Sequence, residues 1–143
     1  MRRALLSLVA LFGLAIASFG QTTTTFPKVV ATFQRLHQTA AIPATTIFTP
    51  KAGGLFRITI YFALLKANSD QSSEWVPTIT FPNDTGQNTF LAPGVIVAVQ
   101  HIMSFEFTSW DKMGGAMIAS VPSAGPDVAN TEYNVTFVVE QLM

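Results

Sequence analysis

Phe56, Ile58, Ile60, Phe62 and Leu64 fall on one parity of the chain, and Arg57, Thr59 and Tyr61 fall on the other. Alternate residues of an extended chain face opposite sides, so this spacing puts one apolar face against a core. Leu55–Lys66 is therefore expected as a long strand. The C-terminus repeats the pattern. Tyr133, Val135, Phe137 and Val139 face one way, and Glu132, Asn134, Thr136 and Glu140 the other. Helical periodicity is nearly absent, so the chain is read as all-β.

Weaker strand candidates lie around these two: Val29–Leu36, Thr45–Thr49, Trp75–Phe81, Thr89–Ala92 and Met117–Val121. Pro77 lacks an N–H inside the third of these, which predicts an edge position or a bulge. Val95–Phe107 is too long and apolar for one simple exposed strand. It reads as a buried strand, or as two joined by a kink near Gln100–His101. Turn chemistry separates the runs. Pro50-Lys51-Ala52-Gly53-Gly54 makes a tight connection, and Pro82-Asn83-Asp84-Thr85-Gly86 combines Asn and Asp caps with a glycine free to take positive φ. Ala67–Ser73 is a polar loop, and Pro122–Asn130 is the longest irregular stretch. Roughly seven to nine short strands at this spacing predict a single antiparallel β-sandwich or barrel.

The N-terminus has a different character. Arg2 and Arg3 precede an apolar run from Ala4 to Phe19, and the chain turns polar at Gln21 and Thr22–Thr25. That layout is a secretory signal peptide, with small residues permitting cleavage after Ala17 or after Gly20. The second site is preferred, which makes residues 1–20 a signal peptide helix and 21–143 the mature domain. The run is shorter than the ~20 apolar residues of a membrane span, and no second run is long enough to be one. A secreted or extracellular location follows, periplasmic if the host is Gram-negative.

Charge and cysteine usage narrow the function classes. The 143-residue chain has 8 basic and 8 acidic residues and no cysteine. Loss of Arg2 and Arg3 leaves six of those 8 bases against all 8 acids, a balance of −2. Nucleic-acid binding needs a basic excess, so it is not expected. Disulfides, thiolate metal sites and cysteine nucleophiles are excluded.

Phe48-Thr49-Pro50-Lys51-Ala52-Gly53-Gly54-Leu55-Phe56-Arg57-Ile58-Thr59-Ile60-Tyr61 resembles the early strand–turn–strand unit of C1q/TNF-like jelly rolls. The chain is also similar to small secreted bacterial and phage-associated β proteins of uncharacterised function. They share a Thr-Pro…Gly-Leu-(Tyr/Phe)-Arg unit early and a closing strand like Tyr133-Asn134-Val135-Thr136-Phe137-Val138-Val139-Glu140-Gln141-Leu142. The resemblance implies a jelly-roll-like sandwich. The Phe-x-Gly-Phe-like element of C1q-like closing strands is missing, so trimeric receptor binding is not implied, and no functional residue carries over.

Catalytic chemistry finds little support. His101, Ser104 and Asp111 are close in sequence, but there is no Gly-x-Ser-x-Gly elbow. Glu106 lies between Phe105 and Phe107, where a strand would turn it to solvent. Two distant histidines, His37 and His101, do not make a zinc site. Loop oxygens at Asn68-Ser69-Asp70 and Asn83-Asp84-Thr85 fit calcium only loosely, since calcium takes 6–8 oxygen ligands, and turn capping explains them equally well. Trp110, Asp111 and Trp75 are the candidate ligand-binding residues, with Tyr61 a further aromatic able to stack on a sugar or a partner. The expected function is a secreted, non-enzymatic structural or interaction module without a cofactor, forming a homo-oligomer or binding an extracellular protein. A lectin-like, carbohydrate-binding sandwich is the alternative.

Overall fold

A computed structural model describes residues 27–83, 85–98, 100–125 and 128–143. The expected signal helix at residues 1–20 and the threonine-rich leader lie outside these residues. The described chain is all-β and carries no helix. Its strands are β1 (Lys28–Gln38), β2 (Ile42–Phe48), β3 (Gly54–Lys66), β4 (Glu74–Trp75), β5 (Thr78–Asn83) and β6 (Gly86–Leu91), followed by β7 (Val95–Ile96), β8 (Ile102–Asp111), β9 (Met117–Val121), β10 (Ser123–Ala124) and β11 (Glu132–Gln141).

Two four-stranded antiparallel sheets, β1-β11-β3-β8 and β2-β9-β5-β6, form the sandwich, and β10-β4-β7 makes a small third sheet. With the three two-residue strands set aside, the first sheet takes the first, eighth, third and sixth long strands. The second takes the second, seventh, fourth and fifth. Each hydrogen-bonded pair within this arrangement follows from rolling up one long hairpin, which is the jelly roll.

The alternation read from the sequence becomes the core. Phe56, Ile58, Ile60, Phe62 and Leu64 of β3 are buried, as are Tyr133, Val135, Phe137 and Val139 of β11. Register makes the two sets neighbours: Phe62 faces Val135, Ile60 faces Phe137 and Ile58 faces Val139. Fully burying each such side chain contributes about 1.5–3 kcal/mol. Aromatic contacts extend the core, with the rings of Phe62 and Tyr133 stacked at 5.0 Å and those of Trp75 and Tyr133 4.7 Å apart. Burial pushes the Tyr133 phenol well up, and its hydroxyl donates to the Ala40 carbonyl at 2.8 Å.

Several local expectations are adjusted. Trp75–Phe81 is not one strand with an edge proline: it divides at Val76-Pro77. Trp75 joins the small sheet, while β5 pairs with both β6 and β9 inside the second sandwich sheet. Pro77 sits at the switch between sheets, where it needs no N–H, and its carbonyl accepts from Ala92 N at 2.9 Å. Val95–Phe107 takes its two-strand form, with β7 and β8 separated around Gln100–His101 and β8 running on to Asp111. The stretch 122–130 holds one short strand, β10. Gly86 takes φ +134° opposite Asn83 at the β5–β6 turn, where Asn83 Oδ1 accepts from Thr85 N at 2.9 Å. Gly54 lets the backbone of Met143 pass close to the start of β3. A Cβ there would lie 2.4 Å from the Met143 carbonyl oxygen, which accepts from Leu55 N at 3.2 Å.

Candidate interaction surface

Strand alternation separates the candidate residues instead of gathering them. Trp110 and Asp111 are adjacent on β8 and so project from opposite faces. Trp110 faces outward and is 51% exposed, whereas Asp111 is fully buried. The Asp111 carboxylate accepts from Ser109 Oγ at 3.0 Å through Oδ1, and Oδ2 has no partner. Burial raises its pKa, and the Ser109 hydrogen bond opposes that shift. Trp75 is fully buried, and its indole N–H donates to Thr131 Oγ1 at 3.1 Å. A buried indole whose only polar group is already bonded is a core element, so Trp75 has no surface to offer a ligand.

The other chemically interesting groups are also dispersed. Ser104 and Asp111 lie seven residues apart on one strand, roughly 23 Å at the usual rise, and on opposite faces. Glu106 points outward while Phe105 and Phe107 pack against the core. Arg57 lies between two carboxylates, bonding Glu140 at 2.6 Å and approaching Glu106 at 3.9 Å. The Glu140 hydrogen bond, with its charge, holds the Arg57 pKa above the ordinary value. Glu132 pairs with His37 across the β1–β11 edge. The Asp70 carboxylate accepts from the backbone and hydroxyl of Ser72 and Ser73, which lowers its pKa, Ser72 contributing most. Asn68 Oδ1 accepts from Asp70 N at 2.8 Å. The loop oxygens of Asn68, Asp70 and Asn83 accept hydrogen bonds within their own turns, and Asp84 lies outside the described residues.

What the fold does assemble is a patch on the outer face of β1-β11-β3-β8. Ala63 faces both Asn134 and Ile102, and one row away Tyr61 faces both Thr136 and Ser104. Ile102 is 82% exposed, Tyr61 50% and Leu36 48%. Together with Ala63 they line a shallow depression of about 170 Å³. Its remaining outer-face lining is neutral: Gln34, Asn134 and Thr136. The Gln34 amide donates to Thr136 Oγ1 at 3.2 Å, and His37 N donates to Asn134 Oδ1 at 2.8 Å. The His37–Glu132 pair bounds the patch on one side, and the Arg57 cluster lies on the other. An apolar centre inside a polar rim is the anatomy of a protein interface. Tyr61 was legible as an aromatic on the polar parity of β3. Ile102 and Leu36 were not, because nothing in the sequence states the register that sets them beside Ala63. Trp110 lies eight residues from Ile102 on β8, roughly 26 Å away, and lines neither this depression nor the cleft near Phe48.

No protein-family model matches the chain. No curated protein matches it at a significant level. A solved structure of the infectious bursal disease virus Gx strain is similar over 81% of this chain and 32% of that chain, at 14% identity and a TM-score of 0.47. The chain thus spans about a third of that neighbour's length. The assignment to the jelly-roll class rests on strand order.

Proposed function

We propose that this chain is a secreted, non-enzymatic interaction module that associates, first with copies of itself, through the outer face of β1-β11-β3-β8. The observation that carries the reading is the exposure of Ile102, Tyr61 and Leu36 around Ala63. Contiguous apolar surface inside a polar rim favours association. The N-terminal basic-apolar-polar layout supports secretion. Sedimentation equilibrium over a micromolar concentration series tests the association. The expected result is a mass that rises with concentration and returns to the monomer in Ile102→Glu. A clean monomer across the series would sink self-assembly.

Carbohydrate binding is the second reading, favoured by the exposure of Trp110 and Tyr61, since exposed aromatic faces can stack on sugars. Glycan-array binding lost in Trp110→Ala or Tyr61→Ala would support it. Silence across a broad array would remove it.

A further inference from the structure

β1 ends one sheet of the sandwich and β2 ends the other, and a cleft opens where the start of β1 passes the β2–β3 connection. Its volume is about 440 Å³, within the roughly 300–1,000 Å³ of small-molecule sites. Core residues make the interior. Phe56 is 1% exposed at the floor, and half-buried Phe48 packs a tilted ring against it with centroids 5.8 Å apart. Val30 adds a third apolar wall.

Two exposed ammonium groups, Lys28 and Lys51, complete the cleft, and among the described residues no carboxylate side chain lines it. Neither lysine takes part in an ion pair among the described residues. The other polar side chains there, Thr49 and Gln141, are neutral. The local field is therefore positive, over apolar walls. A small hydrophilic anion would leave Phe48 and the valines unused. A neutral apolar molecule would leave the lysines unused. A single ligand chemistry satisfies both parts: an apolar chain or ring ending in one anionic group.

We propose that this cleft binds an amphipathic monocarboxylate, with its apolar body against Phe48, Val29 and Val30 above the buried Phe56 and its carboxylate accepting from Lys28 and Lys51. The site lies apart from the Ile102 patch and does not depend on it. The purified protein is titrated with octanoate, with octanol as the neutral match and with acetate as the headgroup alone, following backbone amides by NMR. Octanoate is expected to shift the amides of Lys28–Val30 and of Phe48, Thr49, Lys51 and Ala52. Octanol and acetate should bind about tenfold more weakly or worse, the scale expected on losing a charge-assisted contact or an apolar one. The double variant Lys28→Gln, Lys51→Gln should reduce octanoate affinity to the level of octanol. Both side chains are exposed, so its urea midpoint should match that of the parent. No saturable octanoate binding at millimolar concentration would overturn the proposal. So would shifts centred elsewhere, or equal affinity in the double variant.

Discussion

The two faces of β3 obey different rules. On the inner face every alternate residue from Phe56 to Leu64 is buried, and the same holds for Tyr133 to Val139 on the neighbouring strand. On the outer face the sequence is mixed. Arg57 is clamped by carboxylates, Thr59 is covered by its neighbours, and Tyr61 is half exposed. The inner face has one task, excluding water, and any large apolar residue at the right parity serves it. The outer face must remain compatible with solvent, so an apolar residue there is informative. Tyr61, Ala63 and Ile102 are positions where that face departs from polar character, as are Leu36, Leu65 and Trp110.

Truncation on the inner face should break this contrast most severely. Phe137 is fully buried, with its ring 6.1 Å from that of Phe33. Phe137→Ala is expected to destabilise the domain by about 3–5 kcal/mol through lost transfer energy and an unfilled cavity. Urea unfolding measures it, and a loss under 1 kcal/mol would show that the two sheets are not packed as described.

Asp111 sharpens the comparison, because it places a carboxyl on the inner face with one oxygen unpartnered. Its raised folded-state pKa means that the folded protein holds this proton more tightly than the unfolded chain. The stabilisation from proton binding is complete below the ordinary Asp value of about 4 and is lost as pH rises through the raised value. Asp111→Asn should therefore raise Tm at pH 7, with a gap that closes as pH falls towards 4. The gain should be smaller than the roughly 1–3 kcal/mol cost of an orphaned buried acceptor. Calorimetry of both proteins across that range reads it, and a lower Tm for the variant at pH 7 would contradict the burial argument. Asp70 acts in the opposite sense. Its lowered pKa contributes stability above the ordinary value that is lost on acidification, so the pH series must compare variant with parent.

The smallest change in stability is expected on the outer face. Ile102→Glu should leave the monomer's unfolding free energy within about 0.5 kcal/mol, as is usual for exposed positions. It should nevertheless abolish concentration-dependent mass. A large loss of stability would mean that Ile102 packs inside the protomer, contrary to its exposure.

Much of the fold was legible because the strands obey a period of two. The parities of β3 and β11, the glycine at the Asn83–Gly86 turn and the bounds of Met117–Val121 follow from local chemistry. Pro77 was legible as an interruption but not as a switch between sheets, since its missing N–H is tolerated in several settings. The candidate site was less accessible. Trp110, Asp111 and Trp75 form a plausible group in composition, but alternation sends the first two apart and the core takes the third.

The sequence by itself determined which face of each strong strand is apolar, where the chain turns, and, through its lack of cysteine, that disulfides and thiolate chemistry are excluded. Those properties depend on near neighbours along the chain. Tertiary structure decided the strand order that makes a jelly roll and the register that sets Ile102 and Asn134 on either side of Ala63. It also decided that Lys28, Lys51 and Phe48 line one cleft. Such contacts join residues far apart in the chain, and their partners are selected by packing two sheets together, which no local pattern encodes.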